Sequence, residues 1–252
     1  MASGLQITYL RHSGVAVRTH DTLLVFDDAQ GPPQDSDALA NGRITRQLIA
    51  THARTIFFVS HAHADHFNPA IYDLPGEEAG AHYVLGYDLP KKYRGNRLKP
   101  GDTRKVAGIA VTAYGSTDEG VSFLVDVDGW SIFHAGDLNL WHWREESTPK
   151  EIEQAEKDFY AATAPLIGQE IDFAFFPVDP RMGEMSDAGA LYFLMHVKPR
   201  VMIPMHWWDR DDVAREFARR NRGKHVETVA LTVPGESLRA EKKPDGQIVI
   251  DL

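Results

Sequence analysis

The segment Ser60-His61-Ala62-His63-Ala64-Asp65-His66 places three imidazoles and a carboxylate within six residues. Neutral imidazole and carboxylate are good ligands for zinc and similar borderline divalent ions. The two residues between the histidines and the aspartate are both alanine, so nothing bulky would fill a site there. A bound divalent ion brings the pKa of a coordinated water from about 15.7 towards about 7 and supplies metal-bound hydroxide at neutral pH. It also polarises a carbonyl or phosphoryl oxygen and stabilises the developing oxyanion. The implied chemistry is hydrolysis, with Asp65 able both to ligate and to orient the attacking water. One or two Zn²⁺ ions suit this donor set, and Mn²⁺, Fe²⁺ or Ni²⁺ could take the same place. A serine nucleophile is not needed: Ser13 and Ser60 stand beside histidines, but neither sits in a nucleophile-elbow motif.

These side chains need a frame. The cluster directly follows the apolar run Ile56-Phe57-Phe58-Val59, and a strand end followed by a turn can splay such side chains around a common point. Short runs rich in Val, Ile, Phe and Tyr recur at Leu5–Leu10, Val15–Arg18, Leu23–Phe26, Thr55–Ser60, Tyr83–Gly86, Ile109–Tyr114, Val121–Val125 and Trp130–His134. Gly and Asp punctuate them, as turns punctuate strands. Ile171–Val178 and Arg200–Met205 are nearly continuous apolar stretches and read as strands buried on both faces. Thr148-Pro149-Lys150-Glu151 reads as a helix start, with Thr as N-cap, Pro at the first helical position and Glu closing a capping box. Ile152, Ala155, Phe159, Ala162 and Leu166 then mark one apolar face. Further helices are expected from Ser186 to about Val197, ended by Pro199, and from Asp211 to about Arg220. The pattern is α/β, and helices packed outside two sheets are a reasonable architecture for it.

The motif His-x-His-x-Asp-His after a buried strand resembles the signature of the metallo-β-lactamase fold superfamily, and the resemblance extends over nearly the whole chain. Leu24-Val25-Phe26-Asp27-Asp28 resembles that family's early strand ending in an aspartate that supports the ligands. Phe133-His134-Ala135-Gly136-Asp137 resembles the element whose carboxylate bridges two metals. Met202-Ile203-Pro204-Met205-His206 resembles the closing strand whose last histidine is a ligand. Asp137 follows His66 by 71 residues, and His206 follows Asp137 by 69. The resemblance implies a four-layer αββα sandwich, one domain over 1–252, and metal ligands His61, His63, Asp65, His66, Asp137 and His206. The segment from Asp172 through Pro177-Val178-Asp179-Pro180 to His206 is similar to the branch containing ascorbate-6-phosphate lactonase-like proteins.

One departure from the family pattern is informative. The family supplies a further histidine where this chain has Ala113-Tyr114-Gly115-Ser116-Thr117-Asp118-Glu119-Gly120, which contains none. On the family roles, His61, His63 and a shared Asp137 would form one metal site, and Asp65, His66, His206 and Asp137 the other. The first site then lacks a protein ligand, and Asp118, Glu119, His134 or water could complete it. His12-Ser13-Gly14 resembles an early family motif near the metal rim, and a turn between two strands explains it equally well. Trp141, Trp143, Trp207 and Trp208 follow the proposed ligands closely and could wall a pocket or pack in the core. Asp179 and Arg181 read as a surface turn, with Arg181 as an anion clamp the alternative.

The bulk numbers narrow the partners. A length of 252 residues is enough to bury a full core, and 43% hydrophobic with 25% charged residues is ordinary soluble composition. A formal net charge of -9 makes nucleic acid a poor partner. The chain has no cysteine, which excludes disulfides, thiolate ligands and a cysteine nucleophile. No apolar run approaches the roughly 20 residues of a membrane span, and Met1 to Leu10 shows no secretory pattern, so a cytoplasmic protein with a small-molecule substrate is expected. The functional expectation is a zinc-type hydrolase of a small ester, lactone, amide or phosphoester. The alternatives are a redox or sulfur-handling metal enzyme on the same fold, or a non-catalytic metal-binding protein.

Overall fold

The alternating apolar runs pair into two β-sheets. The computed structural model describes residues 4–74, 80–223 and 226–252. In chain order the elements are β1 (Gly4–Arg11), β2 (Gly14–Arg18), β3 (Thr22–Phe26), α1 (Arg46–Ala50), β4 (Arg54–Val59), β5 (Ala81–Gly86), β6 (Asn96–Leu98), β7 (Thr103–Val106), β8 (Ile109–Tyr114), β9 (Ser122–Val127), β10 (Trp130–His134), α2 (Pro149–Thr163), β11 (Phe173–Pro177), α3 (Ala188–His196), β12 (Val201–Met205), α4 (Asp211–Asn221), β13 (Glu227–Thr228), β14 (Ser237–Lys242) and β15 (Ile248–Asp251). The first sheet has the order β15-β14-β1-β2-β3-β4-β5-β6, the second β13-β12-β11-β10-β9-β8-β7. No helix among the described residues is long and apolar enough to cross a membrane.

The chain divides into two compact units. One comprises Met1–Arg97, Lys105–Ile109 and Leu231–Leu252, the other Leu98–Arg104 and Ala110–Ala230. In the first unit β3, β4 and β5 are parallel neighbours, with Phe26 opposite Phe58 and Val59 opposite Leu85. Their carboxyl ends therefore lie along one edge, where Asp27 follows β3, Ser60 follows β4 and Gly86 ends β5. One core of this unit joins Val25, Phe57, Val59, Tyr83 and Leu85 from the strands to Ile44, Ile49, Phe67 and Ile71. Each such side chain stabilises the fold by about 1.5–3 kcal/mol through removal of apolar surface from water. Gly86 is required for this edge to close: a Cβ on it would stand 2.2 Å from the carbonyl oxygen of Ser60.

The second unit repeats the logic. Strands β10, β11 and β12 are parallel, with Phe133 opposite Ala174 and Phe176 opposite Pro204. β11 and β12 are buried at every position, as their unbroken apolar sequences require. Asp137, Asp179 and His206 follow the carboxyl ends of these three strands. The capping box at Thr148 forms as the sequence implies: the Thr148 amide donates to Glu151 Oε2 at 2.7 Å and the Glu151 amide to Thr148 Oγ1 at 3.4 Å. Helix α2 ends at Thr163 rather than at Leu166. Pro165 has no amide hydrogen, and Ala164–Leu166 form a separate 3₁₀ turn. Helix α3 begins at Ala188 rather than at Ser186, because a 3₁₀ segment over Pro180–Met185, kinked at Gly183 (φ 58°), precedes it.

Candidate metal centre

In the first unit the site grows out of the end of β4. The chain leaves β4 at Ser60 and closes a turn in which the amides of His66 and Phe67 donate to the His63 carbonyl at 3.0 and 2.9 Å. That turn gathers His61, His63, Asp65 and His66. Asp27, one residue past β3 and 1% exposed, braces it from behind. The Ser60 amide donates to Asp27 Oδ1 (2.8 Å), and the Ser60 hydroxyl to Oδ2 (2.6 Å). His66 Nδ1 donates to the same Oδ2 at 2.7 Å. Because the Ser60 proton is committed to Asp27, the Ser60 oxygen accepts from His61 Nδ1 at 2.9 Å. Both rings are thereby fixed with a proton on Nδ1 and a lone pair on Nε2, the tautomer a metal requires. A further brace comes from Asp88 after β5, whose carboxylate accepts the Ala62 amide at 3.2 Å.

The Nε2 atoms face other donors. His61 Nε2 lies 3.0 Å from His63 Nδ1. His66 Nε2 lies 4.0 Å from Asp65 Oδ2, and His12 Nε2 lies 3.3 Å from the same oxygen. His12 sits in the β1–β2 turn with φ 55°, its amide donating to the Tyr9 hydroxyl at 2.7 Å. Its hydrogen bond is the main reason that Asp65 is held well below the usual carboxylate range, against the opposing effect of burial. His12 is thus a full member of the cluster, a role its sequence motif left open between a rim residue and a plain turn.

In the second unit Asp137 and His206 come together, with Oδ1 and Nε2 3.4 Å apart. His206 is 1% exposed and has φ 63°. Its Nδ1 donates to Asp179 Oδ2 at 3.0 Å. Asp179 is therefore no surface turn: it is fully buried and positions His206 as Asp27 positions His66. Burial alone would raise the pKa of Asp179, but hydrogen bonds from His206 and Arg181 outweigh it and hold the carboxyl well below the usual range. Asp118 and Asp137 present carboxylate oxygens within 4.8 Å of each other. Thr117 brings them together, accepting the Asn139 amide at 2.9 Å and donating to the Asn139 carbonyl at 2.5 Å. Of the three candidates to replace the absent family histidine, Asp118 is the one beside Asp137. Glu119 is exposed. His134 is buried in the strand, with Nδ1 accepting the Gly136 amide at 3.2 Å, and it belongs to no group of converging donors among the described residues.

The donor set fits a divalent ion. Atoms that share one ion at zinc distances of about 2.0–2.2 Å stand about 3 to 4.4 Å apart. The spacings of 3.0, 3.3, 3.4 and 4.0 Å fall in that range. The atoms involved are imidazole nitrogens and carboxylate oxygens, backed by further carboxylates that set the tautomer.

No family model matches the chain. A UPF0173 metal-dependent hydrolase of Pyrococcus furiosus is 30% identical over 252 residues, covering 93% of this chain and 99% of that protein. The chain belongs to the UPF0173 family of metal-dependent hydrolases. Solved structures agree with this UPF0173 chain in fold. Igni18, a metallo hydrolase from Ignicoccus hospitalis, is 19% identical with a TM-score of 0.63, covering 94% of this chain and 98% of its own. The metallo-β-lactamase fold protein YhfI from Bacillus subtilis is 11% identical with a TM-score of 0.57, covering 99% and 100%. The UPF0173 chain described here therefore has the metallo-β-lactamase fold and is an enzyme of the metal-dependent hydrolase class.

Proposed function

We propose that the chain hydrolyses a small ester, lactone, amide or phosphoester at a zinc centre ligated by His61, His63, Asp65, His66, Asp137 and His206. The two compact units would then serve one hydrolase domain. The supporting observation is a device that occurs once in each unit. A buried carboxylate holds Nδ1 of a histidine whose Nε2 faces a second carboxylate: Asp27–His66–Asp65 in the first, Asp179–His206–Asp137 in the second. Such an arrangement has little use without a cation at Nε2. His12 and Asp118 join the proposed ligands on the distances given above.

A bound divalent ion would supply an acidified water and a positive charge for the oxygen of the scissile group. The chain's own residues do the rest. Asp65 stays ionised through the neutral range and accepts a hydrogen bond from the attacking water. Asp27 and Asp179 keep His66 and His206 in the ligating tautomer. The likeness of the Asp172 to His206 segment to the lactonase-like branch supports a lactone among the substrates.

The test is metal analysis of purified protein, followed by an ester, lactone and phosphodiester screen with and without chelator. Retained zinc and chelator-sensitive hydrolysis of one class are expected, with loss of that activity in Asp65→Asn. Protein that retains no ion and gains no thermal stability from added Zn²⁺, Mn²⁺, Fe²⁺ or Ni²⁺ overturns the reading.

A further inference from the structure

Next to His206 the second unit exposes an aromatic wall that neither the metal nor the core accounts for. Trp208 is 41% exposed although indole is among the largest apolar groups. Its backbone is left-handed (φ 57°), a conformation that costs a bulky residue about 1 kcal/mol or more. Its ring stands edge-on to His206, with centroids 5.7 Å apart. The indole Nε1 donates to Asp179 Oδ2 at 3.4 Å, the same oxygen that aims His206. The Arg181 guanidinium lies over the Trp208 ring at 4.5 Å and over Trp143 at 5.5 Å. Trp143 in turn stacks nearly parallel on Trp141, at 6.0 Å and 4°. Trp141 donates to the Asp137 carbonyl at 3.0 Å and reaches His206 at 5.8 Å. Trp208, Arg181, Trp143 and Trp141 thus form one stacked row tied to both Asp137 and His206, with Trp208 as its exposed member.

The charge on that surface is largely cancelled. Asp179 takes the Nε and Nη2 edge of Arg181 through both carboxylate oxygens. A dianion would find little net positive charge here, whereas a flat apolar group would find a rigid π surface held in place at a backbone cost. Aromatic pairs prefer offset or edge-on contacts and gain beyond their buried area.

We infer that Trp208, with Trp143 and Arg181, is the specificity wall of this enzyme and selects substrates carrying a flat aromatic or unsaturated group next to the scissile bond. This rests on the metal-hydrolase reading above. The test uses zinc-loaded, full-length protein titrated calorimetrically with phenylphosphonate and methylphosphonate, two probes that share a metal-binding anion and differ in the ring. Phenylphosphonate is expected to bind about tenfold more tightly, the scale of one stacked ring with its buried area. In Trp208→Ala that ratio should fall to near one, and Trp208→Phe, which keeps a flat ring, should retain most of it. Equal affinities in the wild type, or a preference that survives Trp208→Ala, overturn the wall while chelator-sensitive binding of both probes leaves the metal reading standing. Absence of chelator-sensitive binding of either probe overturns the metal reading, and the wall with it.

Discussion

Replacing Asp27 by Asn tests how far a carboxylate that never touches substrate controls the site. Three hydrogen bonds end on it: the Ser60 amide at 2.8 Å, the Ser60 hydroxyl at 2.6 Å and His66 Nδ1 at 2.7 Å. Asn offers one acceptor oxygen and, in place of Oδ2, an NH₂ that donates. The Ser60 amide bond can survive on the remaining oxygen. The NH₂ then confronts two donors, so His66 must turn or move its proton to Nε2. A proton on Nε2 blocks the atom a metal would use. His61 follows, because its Nδ1 is held by the same Ser60 oxygen. Loss of such an outer partner costs about 10- to 100-fold in metal affinity, or about 1.4–2.7 kcal/mol. Folding should suffer less, because the substitution also removes a carboxylate that is 1% exposed and costly to bury. Competitive titration of metal-free Asp27→Asn against a chromogenic chelator reads the affinity, and urea unfolding reads the fold. A variant that unfolds at the wild-type urea concentration and binds zinc within threefold of wild type refutes the reasoning.

Two further outcomes follow from the same geometry. His206→Ala should abolish tight metal binding, because that ring carries both the Asp179 brace and the contact with Asp137. His61→Ala should weaken binding less, since the family roles give its site fewer protein ligands. Equal loss in both, or greater loss in His61→Ala, refutes that assignment by metal titration. Asp28 is a separate case: burial pushes its pKa up to about 6, with Gln30 and Arg43 opposing. Between the ordinary value near 3.8 and about 6 the folded state binds the extra proton, so stability falls as pH rises through that window. Asp28→Asn should therefore gain about 2–3 kcal/mol over wild type at pH near 7.5 and little at pH near 3.5. Urea unfolding of metal-free protein at the two pH values checks this, and an equal gain at both contradicts it.

Much of the site is legible in sequence because its residues follow strands that announce themselves. β4 ends in the apolar run Ile56–Val59 and β12 is apolar throughout, so His61 and His206 stand just past legible strand ends. Asp27 is legible for the same reason, as the first polar residue after Leu23–Phe26. Asp179 was harder. Nothing in Pro177-Val178-Asp179-Pro180 distinguishes a surface turn from a buried brace, because the distinction lies in a hydrogen bond to a residue 27 positions away. One signal could have raised it: three parallel strands in succession must end side by side, and Asp179 ends the middle one. His12 was ambiguous since a turn residue with positive φ leaves no periodic trace. The strands β14 and β15 leave little trace in the sequence for another reason. Ser237-Leu238-Arg239-Ala240-Glu241-Lys242 carries only two apolar residues, and its pairing with β1 buries just Leu238 and Ala240 fully. A strand with one wet face lacks the apolar excess that betrays a strand buried on both faces.

Backbone strain marks the same residues from a different direction. Among the described residues, seven other than glycine have positive φ: His12, Asp27, Ala107, Asp128, Lys198, His206 and Trp208. Ala107 and Asp128 precede glycines in hairpin turns, and Lys198 follows a helix end, so local turn geometry accounts for these three. The other four are the proposed ligands His12 and His206, the brace Asp27 and the wall residue Trp208. Strain of about 1–3 kcal/mol per residue persists only where the surroundings hold it. The fold should therefore gain metal-free stability where such a residue is replaced by one that tolerates the left-handed region, and lose metal-linked stability in return. His12→Asn separates the two terms, because Asn visits the left-handed region at little cost and the backbone hydrogen bond from residue 12 to the Tyr9 hydroxyl is kept. The side-chain contact with Asp65 is lost together with the edge-on contact to the His66 ring, and the Asp65 pair is partly exposed, so its contribution to the metal-free fold is small. Metal-free His12→Asn should unfold at or above the wild-type temperature. The stabilisation gained on adding saturating zinc should shrink by about 1.4 kcal/mol for each tenfold loss of affinity. Thermal unfolding of both proteins with and without zinc gives both terms. A metal-free variant clearly less stable than wild type, with the same zinc increment, would mean that His12 serves the fold and not the ion.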